Sequence, residues 1–140
     1  MDNLPILAEY ISEKQARELN PLVLAYIGDG VHTLYVRTKE MRNTTAKADK
    51  LHKLVTQQVK AEAQAKSLDA IRHLFTEEEE GIFLRARNSH QHSVAKNASI
   101  ADYKTATGFE AVIGYLYLTG QNQRLDYLLS SGDQLVGAKE

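Results

Sequence analysis

Cysteine is absent from the 140 residues. The chain therefore has no disulfide framework, no Cys-based zinc site and no thiol nucleophile. There are only two prolines, and no hairpin turn signal separates apolar runs, so strand patterns are scarce. The N-terminal stretch MDNLPILAEYISEKQ lacks a basic segment followed by a long apolar one, the mark of a signal peptide. Long apolar runs are missing as well. Asp29 and Glu110 interrupt the two longest, and neither reaches the length of a membrane span. A cytoplasmic protein with no membrane partner is expected. No strong net charge exists either: the formal value is −1, which by itself argues against a strongly basic nucleic-acid binder.

What is present is ordinary in bulk and uneven in detail. Hydrophobic residues make up 43% and charged residues 25%, as in soluble globular proteins. The length favours one domain, residues 1–140, with its core at about 20–130. Charge is segregated. Residues 37–66 hold eight Lys or Arg against three acids, and residues 85–104 hold four against one. Between them, residues 67–84 hold five acids against one base. Such blocks could form one positive face, or simply be solvated helix surfaces.

Almost every long segment reads as helix, which makes the fold class all-α. Ser12 with Gln15 forms a capping-box pattern for a short first helix ending before Asn20. Asn20 and Pro21 open a second helix, to about Met41. Thr44 or Thr45 opens a third, with Ala48, Leu51, Leu54, Val55, Val59 and Ala63 at helical spacing. Its other face carries Lys47, Lys50, Lys53 and Lys60. A short helix is expected near residues 68–74. Thr76 with Glu79 marks another start, for a helix to about Asn88. The polar stretch SHQHSVAKNAS, residues 89–99, is the longest loop. A further helix runs from about Ile100 to a cap at Gly120. A last one covers about 121–130, with one more turn after Gly132.

Two of these helices differ from the rest. PLVLAYIGDGVHTLYV and ATGFEAVIGYLYL are apolar almost all round, a pattern that predicts burial at the centre of a bundle. Each contains one acid, Asp29 or Glu110, among small residues: Ala25, Gly28 and Gly30 in one, Ala106, Thr107, Ala111 and Gly114 in the other. Interior helical glycines cost about 0.5–1 kcal/mol each relative to alanine, which suggests that something approaches these backbones closely. A buried carboxylate neutralises, pairs or binds a metal. Two from neighbouring helices could share Mg²⁺ or Mn²⁺ through oxygen ligands. Taken singly, either acid is explained as well by an Arg or Lys partner or by solvent exposure, and the residues alone leave both readings open.

YIGDGV resembles the FLGDAV element of the ribonuclease III family, and GFEAVIGYLYL resembles its FEALIGALYLD element. LHKLV between them is similar to a third-helix stretch of the family. With no double-stranded-RNA-binding domain expected after residue 130, the resemblance is to the Mini-ribonuclease III branch. It implies an all-helical endonuclease domain acting as a homodimer on double-stranded RNA. Each of two metal centres would cut one strand, leaving 5′-phosphate and 3′-hydroxyl ends. The implied substrate is the stem of bacterial large-subunit (23S) ribosomal RNA precursor. Asp29 and Glu110 match the family's catalytic metal ligands for Mg²⁺, with Mn²⁺ as substitute, and no small-molecule cofactor is implied. Two further acids of the larger enzymes are replaced here by Ala25 and Thr107, which favours one ion per protomer. Gly30 stands for the usual alanine, and Thr33 stands where relatives often carry Glu.

RNA contacts would come from Arg85, Arg87, Asn88, His90, His92, Lys96, Asn97 and Lys104, groups suited to phosphates and 2′-hydroxyls. The lysines of the third helix form a second set. His90 and His92 have H-x-H spacing but no third zinc ligand nearby in sequence. His32 fits a core histidine better than a group serving the metal. The tyrosines at 26, 35, 103, 115, 117 and 127 fit a core or a dimer interface. Two rival functions are a catalytically silent duplex-RNA-binding relative and a metal-dependent nucleotide phosphohydrolase. The second lacks its usual His-Asp dipeptide, and its E-x-x-E occurs only within Glu77–Glu80.

Overall fold

The computed structural model describes residues 9–89 and 99–139. Seven helices account for them: α1 Glu13–Glu18, α2 Pro21–Asn43, α3 Ala48–Val59, α4 Ala61–Ile71, α5 Glu77–Arg87, α6 Ile100–Leu118 and α7 Asn122–Lys139. A 3₁₀ turn, Arg72–Leu74, links α4 to α5. The all-α class and most helix starts agree with the sequence. Ser12 and Thr76 both make reciprocal capping boxes, and Asn20 accepts from the Leu22 amide ahead of Pro21. At the end of α6, Gly120 has φ +74°. Its amide bonds to the Tyr117 carbonyl and that of Gln121 to the Leu116 carbonyl, a Schellman closure that glycine accommodates without strain.

Helix α6 is the central rod. Residues 106–109 and 111–117 are all buried, and α1, α2, α4, α5 and α7 pack around it. Helix α2 does not share that position. One face packs on α6, while Val23, Tyr26, Leu34 and Met41 remain exposed. The expectation that both apolar helices are central therefore holds for α6 only. An apolar surface on α2 has the same hydropathy as a buried one, so composition cannot separate the two cases.

Four boundaries also differ. The third helix starts at Ala48, behind Lys47 and without a side-chain cap, and not at Thr44 or Thr45. Nor does it run on to Ala63. Lys60 adopts an extended conformation (φ −71°, ψ 158°) and divides it into α3 and α4. No Gly, Pro or capping side chain marks the break. It lets α3 pack on α2 while α4 packs on α6 and α7. The short helix expected at 68–74 is the second half of α4 plus the 3₁₀ turn. Finally, α7 continues through Gly132 to Lys139. A Cβ on Gly132 would make only ordinary contact with Ile71 and Ser67 of α4, so this glycine neither ends the helix nor is required by the packing. A fork ties α7 to α5: half-buried Arg124 donates to both oxygens of buried Glu79 at 2.8 and 2.7 Å and to the Leu74 carbonyl at 2.6 Å.

The α2–α6 contact is backbone on backbone. A Cβ on Gly28 would lie 1.7 Å from the Glu110 carbonyl oxygen, and one on Gly114 would lie 2.0 Å from that of Leu24. As α2 advances from Leu24 to Gly28, its contact on α6 moves back from Gly114 to Glu110, so the helices cross in opposite directions. Gly30 has nothing within 4 Å of its virtual Cβ, so the expected close approach applies to Gly28 and Gly114 and not to Gly30. Backbone atoms cannot rotate aside as a side chain can. Gly28→Ala and Gly114→Ala should each lower unfolding free energy by about 3 kcal/mol or more, the upper end of overpacking losses. Urea denaturation measures this, and midpoints equal to wild type would show the contact is looser than described.

Candidate metal centre

Gly28 touches the backbone of Glu110, and Asp29 is the next residue. The two carboxyl groups consequently lie within hydrogen-bonding reach of each other. Their environments differ from the expectation. Asp29 is exposed on the outer edge of α2, while Glu110 is only partly accessible. The two-acid juxtaposition is present, but the reading of both acids as buried is corrected, because α2 lies at the bundle surface.

Glu110 is strongly perturbed. Burial is the main cause, followed by the hydrogen bond with Asp29 and its charge, and together they push the Glu110 carboxyl up to about 9. The side chain of Gln64 acts the other way. Gln64 is 2% exposed. Its Nε2 donates to the Val59 carbonyl at 2.7 Å and to Glu110 Oε2 at 3.3 Å, while its Oε1 is buried without a hydrogen-bond partner. Sequence reasoning missed this residue. In the continuous helix expected from the sequence, Gln64 falls with Lys50, Lys53 and Lys60 on the polar face, so it gave no signal.

These groups fit a hard divalent cation. Both acids offer oxygen donors within hydrogen-bonding reach of each other, and the Gln64 side chain that meets Glu110 carries a buried oxygen with no partner. Such a cation would be held by Asp29 and Glu110. Among the described residues, no group of three or more His, Asp or Glu is placed to hold a metal, so solvent or substrate oxygens would complete the shell. The positions of the two missing acids, Ala25 and Thr107, are both buried.

His32 is a core residue, 5% exposed, with its ring edge-on to Phe109 at 5.3 Å. Burial lowers its pKa to about 4, so it is neutral near pH 7. Unlike an ordinary satisfied core histidine, it has a buried Nδ1 with no partner. Tyr115 and Tyr117 are buried in the core, whereas Tyr26 and Tyr127 are exposed. Arg85 and Asn88 are exposed, and Arg87 lies over the Phe83 ring at 5.6 Å and donates to Asn88 Oδ1 at 3.3 Å. Lys104 is exposed near the start of α6. These four residues flank the connection from α5 to α6. Lys47, Lys50, Lys53 and Lys60 are exposed along and beside α3. His90, His92, Lys96 and Asn97 lie outside the described residues.

A family model for the ribonuclease III domain matches residues 22–121. The chain belongs to the ribonuclease III family. Within it, a Mini-ribonuclease 3 of Clostridium tetani is 45% identical over 124 residues, 88% of this chain and 82% of its own. One from a Thermoanaerobacter species is 41% identical, covering 91% and 90% respectively. A solved structure of a Fusobacterium nucleatum protein superposes with a TM-score of 0.76 at 28% identity, covering 81% of this chain and 93% of that one. The Mini-ribonuclease 3 branch is thus the one this chain joins, and the protein is an endoribonuclease. In this ribonuclease III domain the matched span contains both Asp29 and Glu110. Among the described residues, no helix is long and apolar enough to cross a membrane.

Without a cation, the fold favours protonated Glu110, since its pKa lies above the ordinary 4.5. That contribution is complete below about pH 4.5 and is lost as pH rises toward about 9. In chelator-containing buffer, the stability of wild type relative to Glu110→Gln should fall steadily from about pH 5 to about pH 9. Urea midpoints of both proteins across that range test this. Curves that stay parallel would mean that Glu110 titrates normally.

Proposed function

We propose that the protein is a Mg²⁺-dependent endoribonuclease of double-stranded RNA, with Asp29 and Glu110 as its metal-binding catalytic residues. The observation that carries this reading is the convergence of these two carboxyls across the α2–α6 contact. A divalent ion bound there would supply an activated water and stabilise the leaving oxygen in phosphodiester hydrolysis. The chain's own part is to fix the two carboxylates at a surface edge. Asp29 is exposed toward a substrate, and Glu110 is held from behind by α4 and α6. Mn²⁺ suits the same oxygen donors.

Duplex RNA is recognised by shape, phosphates and 2′-hydroxyls, which calls for cations rather than apolar pockets. Lys104 precedes Glu110 by six residues on α6, a rise of about 9 Å, and Arg85, Arg87 and Asn88 end the neighbouring helix. His90, Lys96 and Asn97 belong to the same RNA-binding set. The likeness to bacterial Mini-ribonuclease 3 proteins supports the base-paired stem of the large-subunit ribosomal RNA precursor as substrate, and a cytoplasmic site of action.

A second copy of the chain completes this reading. Val23, Tyr26, Leu34 and Met41 are exposed at 46, 79, 59 and 56%. Their spacing of i, i+3, i+11 and i+18 places them on one side of α2, with the unobstructed Gly30 between them. An apolar stripe of this kind is costly in water and fits a homodimer face. Two copies would present two metal centres, one for each RNA strand. A silent RNA-binding relative would have no use for Asp29 and Glu110 in mutual reach.

Asp29→Asn and Glu110→Gln should each reduce Mg²⁺-dependent cleavage of duplex RNA by about a hundredfold or more, with helical content unchanged by circular dichroism. A folded variant that cuts at the wild-type rate would remove that residue from the centre. Cleavage of nucleoside triphosphates in preference to duplex RNA would favour the phosphohydrolase alternative.

A further inference from the structure

The centre proposed above joins two acids, Asp29 and Glu110, to one neutral side chain whose buried oxygen neither fold nor solvation explains. Gln64 stands on the first turns of α4, buried to 2%. The break at Lys60 leaves the carbonyl of Val59, the last residue of α3, without a helical partner, and the Gln64 amide takes it at 2.7 Å. This bond settles which end of the amide is which. The end facing a carbonyl must be the NH₂ group, because an oxygen there would meet an oxygen. The same nitrogen also reaches Glu110 Oε2 at 3.3 Å. Oε1 is therefore turned elsewhere, and it is buried without a partner. A buried, unpaired amide oxygen carries a desolvation cost. Capping the Val59 carbonyl accounts for the nitrogen end of the amide; nothing in the packing accounts for the buried oxygen end.

We propose that Gln64 is a positioning residue of the metal centre: pinned to the Val59 carbonyl, it orients the Glu110 carboxylate toward the cation with Nε2 and offers Oε1 as an acceptor for a water of the cation's shell. The proposal rests on the two-carboxylate reading. It gives the α3–α4 break a purpose, since a continuous helix would use the Val59 carbonyl internally and leave the amide without its anchor. It also shows how a centre with two acids can remain ordered: a neutral hydrogen-bonding group stands behind Glu110 in place of further charge. Outer hydrogen-bond partners of metal ligands commonly set affinity by ten- to a hundredfold.

The test uses the RNA-free protein and Mn²⁺ as probe, with binding followed by the loss of the free-ion paramagnetic resonance signal. Gln64→Leu should remain folded and bind Mn²⁺ roughly ten- to a hundredfold more weakly. Cleavage of duplex RNA by the variant should recover as Mg²⁺ is raised, which a merely structural defect would not show. Asp29→Asn is run in parallel. If it binds Mn²⁺ like wild type, the two-carboxylate reading falls and this proposal falls with it. If Asp29→Asn loses binding while Gln64→Leu keeps wild-type affinity, Gln64 only packs. Should Gln64→Leu fail to fold, the wild-type protein still decides. The side-chain NH₂ resonances of Gln64 should shift on adding Mg²⁺ and stay unmoved in Asp29→Asn. Wild-type Gln64 resonances that ignore Mg²⁺ while the Asp29 and Glu110 amides respond would overturn the role.

Discussion

The site depends on the absence of two side chains. Gly28 and Gly114 allow α2 and α6 to meet at van der Waals range through their backbones. Helices usually pack with their axes 8–10 Å apart, spaced by side chains. Removing those spacers brings residue 29 of one helix to residue 110 of the other. Short side chains such as aspartate could not bridge an ordinary helix gap. The intrinsic helical penalty of glycine is thus offset by a contact no other residue permits, and the chemistry follows from that contact.

Once together, the two acids conflict. Two carboxylates in mutual reach, one of them largely withdrawn from water, cannot both be charged at low cost. Burial first, and the hydrogen bond and charge of Asp29 second, raise the Glu110 pKa, so without a cation Glu110 keeps its proton near neutral pH. A divalent cation held there, as proposed, would instead neutralise both, and its binding would have to expel the proton. Gln64 adds to this bias: its amide nitrogen favours ionised Glu110, and its anchor comes from the kink between α3 and α4. Along α2, acid and apolar stripe occupy neighbouring sides, so an assembly that covers Tyr26 would leave Asp29 at the edge of the covered surface.

Much of this was legible in the residues. Capping boxes at Ser12 and Thr76, the Asn20–Pro21 start and the Gly120 stop are local signals, and each appears as read. Glycines beside two acids in apolar helices correctly indicated close approach at Gly28 and Gly114. The errors share one cause, which is that tertiary packing acts without a local signature. Lys60 breaks a helix that its neighbours would continue. Gly132 lies inside α7, which runs on because the helix as a whole packs on α4. Helix α2 is apolar on its solvent side, so hydropathy overstated its burial and that of Asp29. Gln64 was overlooked because one polar residue in an amphipathic helix looks like surface until the partner helix is in place. Residues 90–98, where several RNA-contact candidates fall, lie outside the described structure.

The claim at the centre of this account is that Asp29 and Glu110 share one cation. Anomalous diffraction from crystals equilibrated with Mn²⁺ addresses it without reference to activity or substrate. The account predicts one strong peak per chain, at about 2 Å from an oxygen of each carboxylate, with the two carboxyls no longer hydrogen-bonded to each other. Density that places the ion at other side chains, or a Mn²⁺-saturated crystal in which the two carboxyls stay hydrogen-bonded to each other with no ion between them, would contradict it.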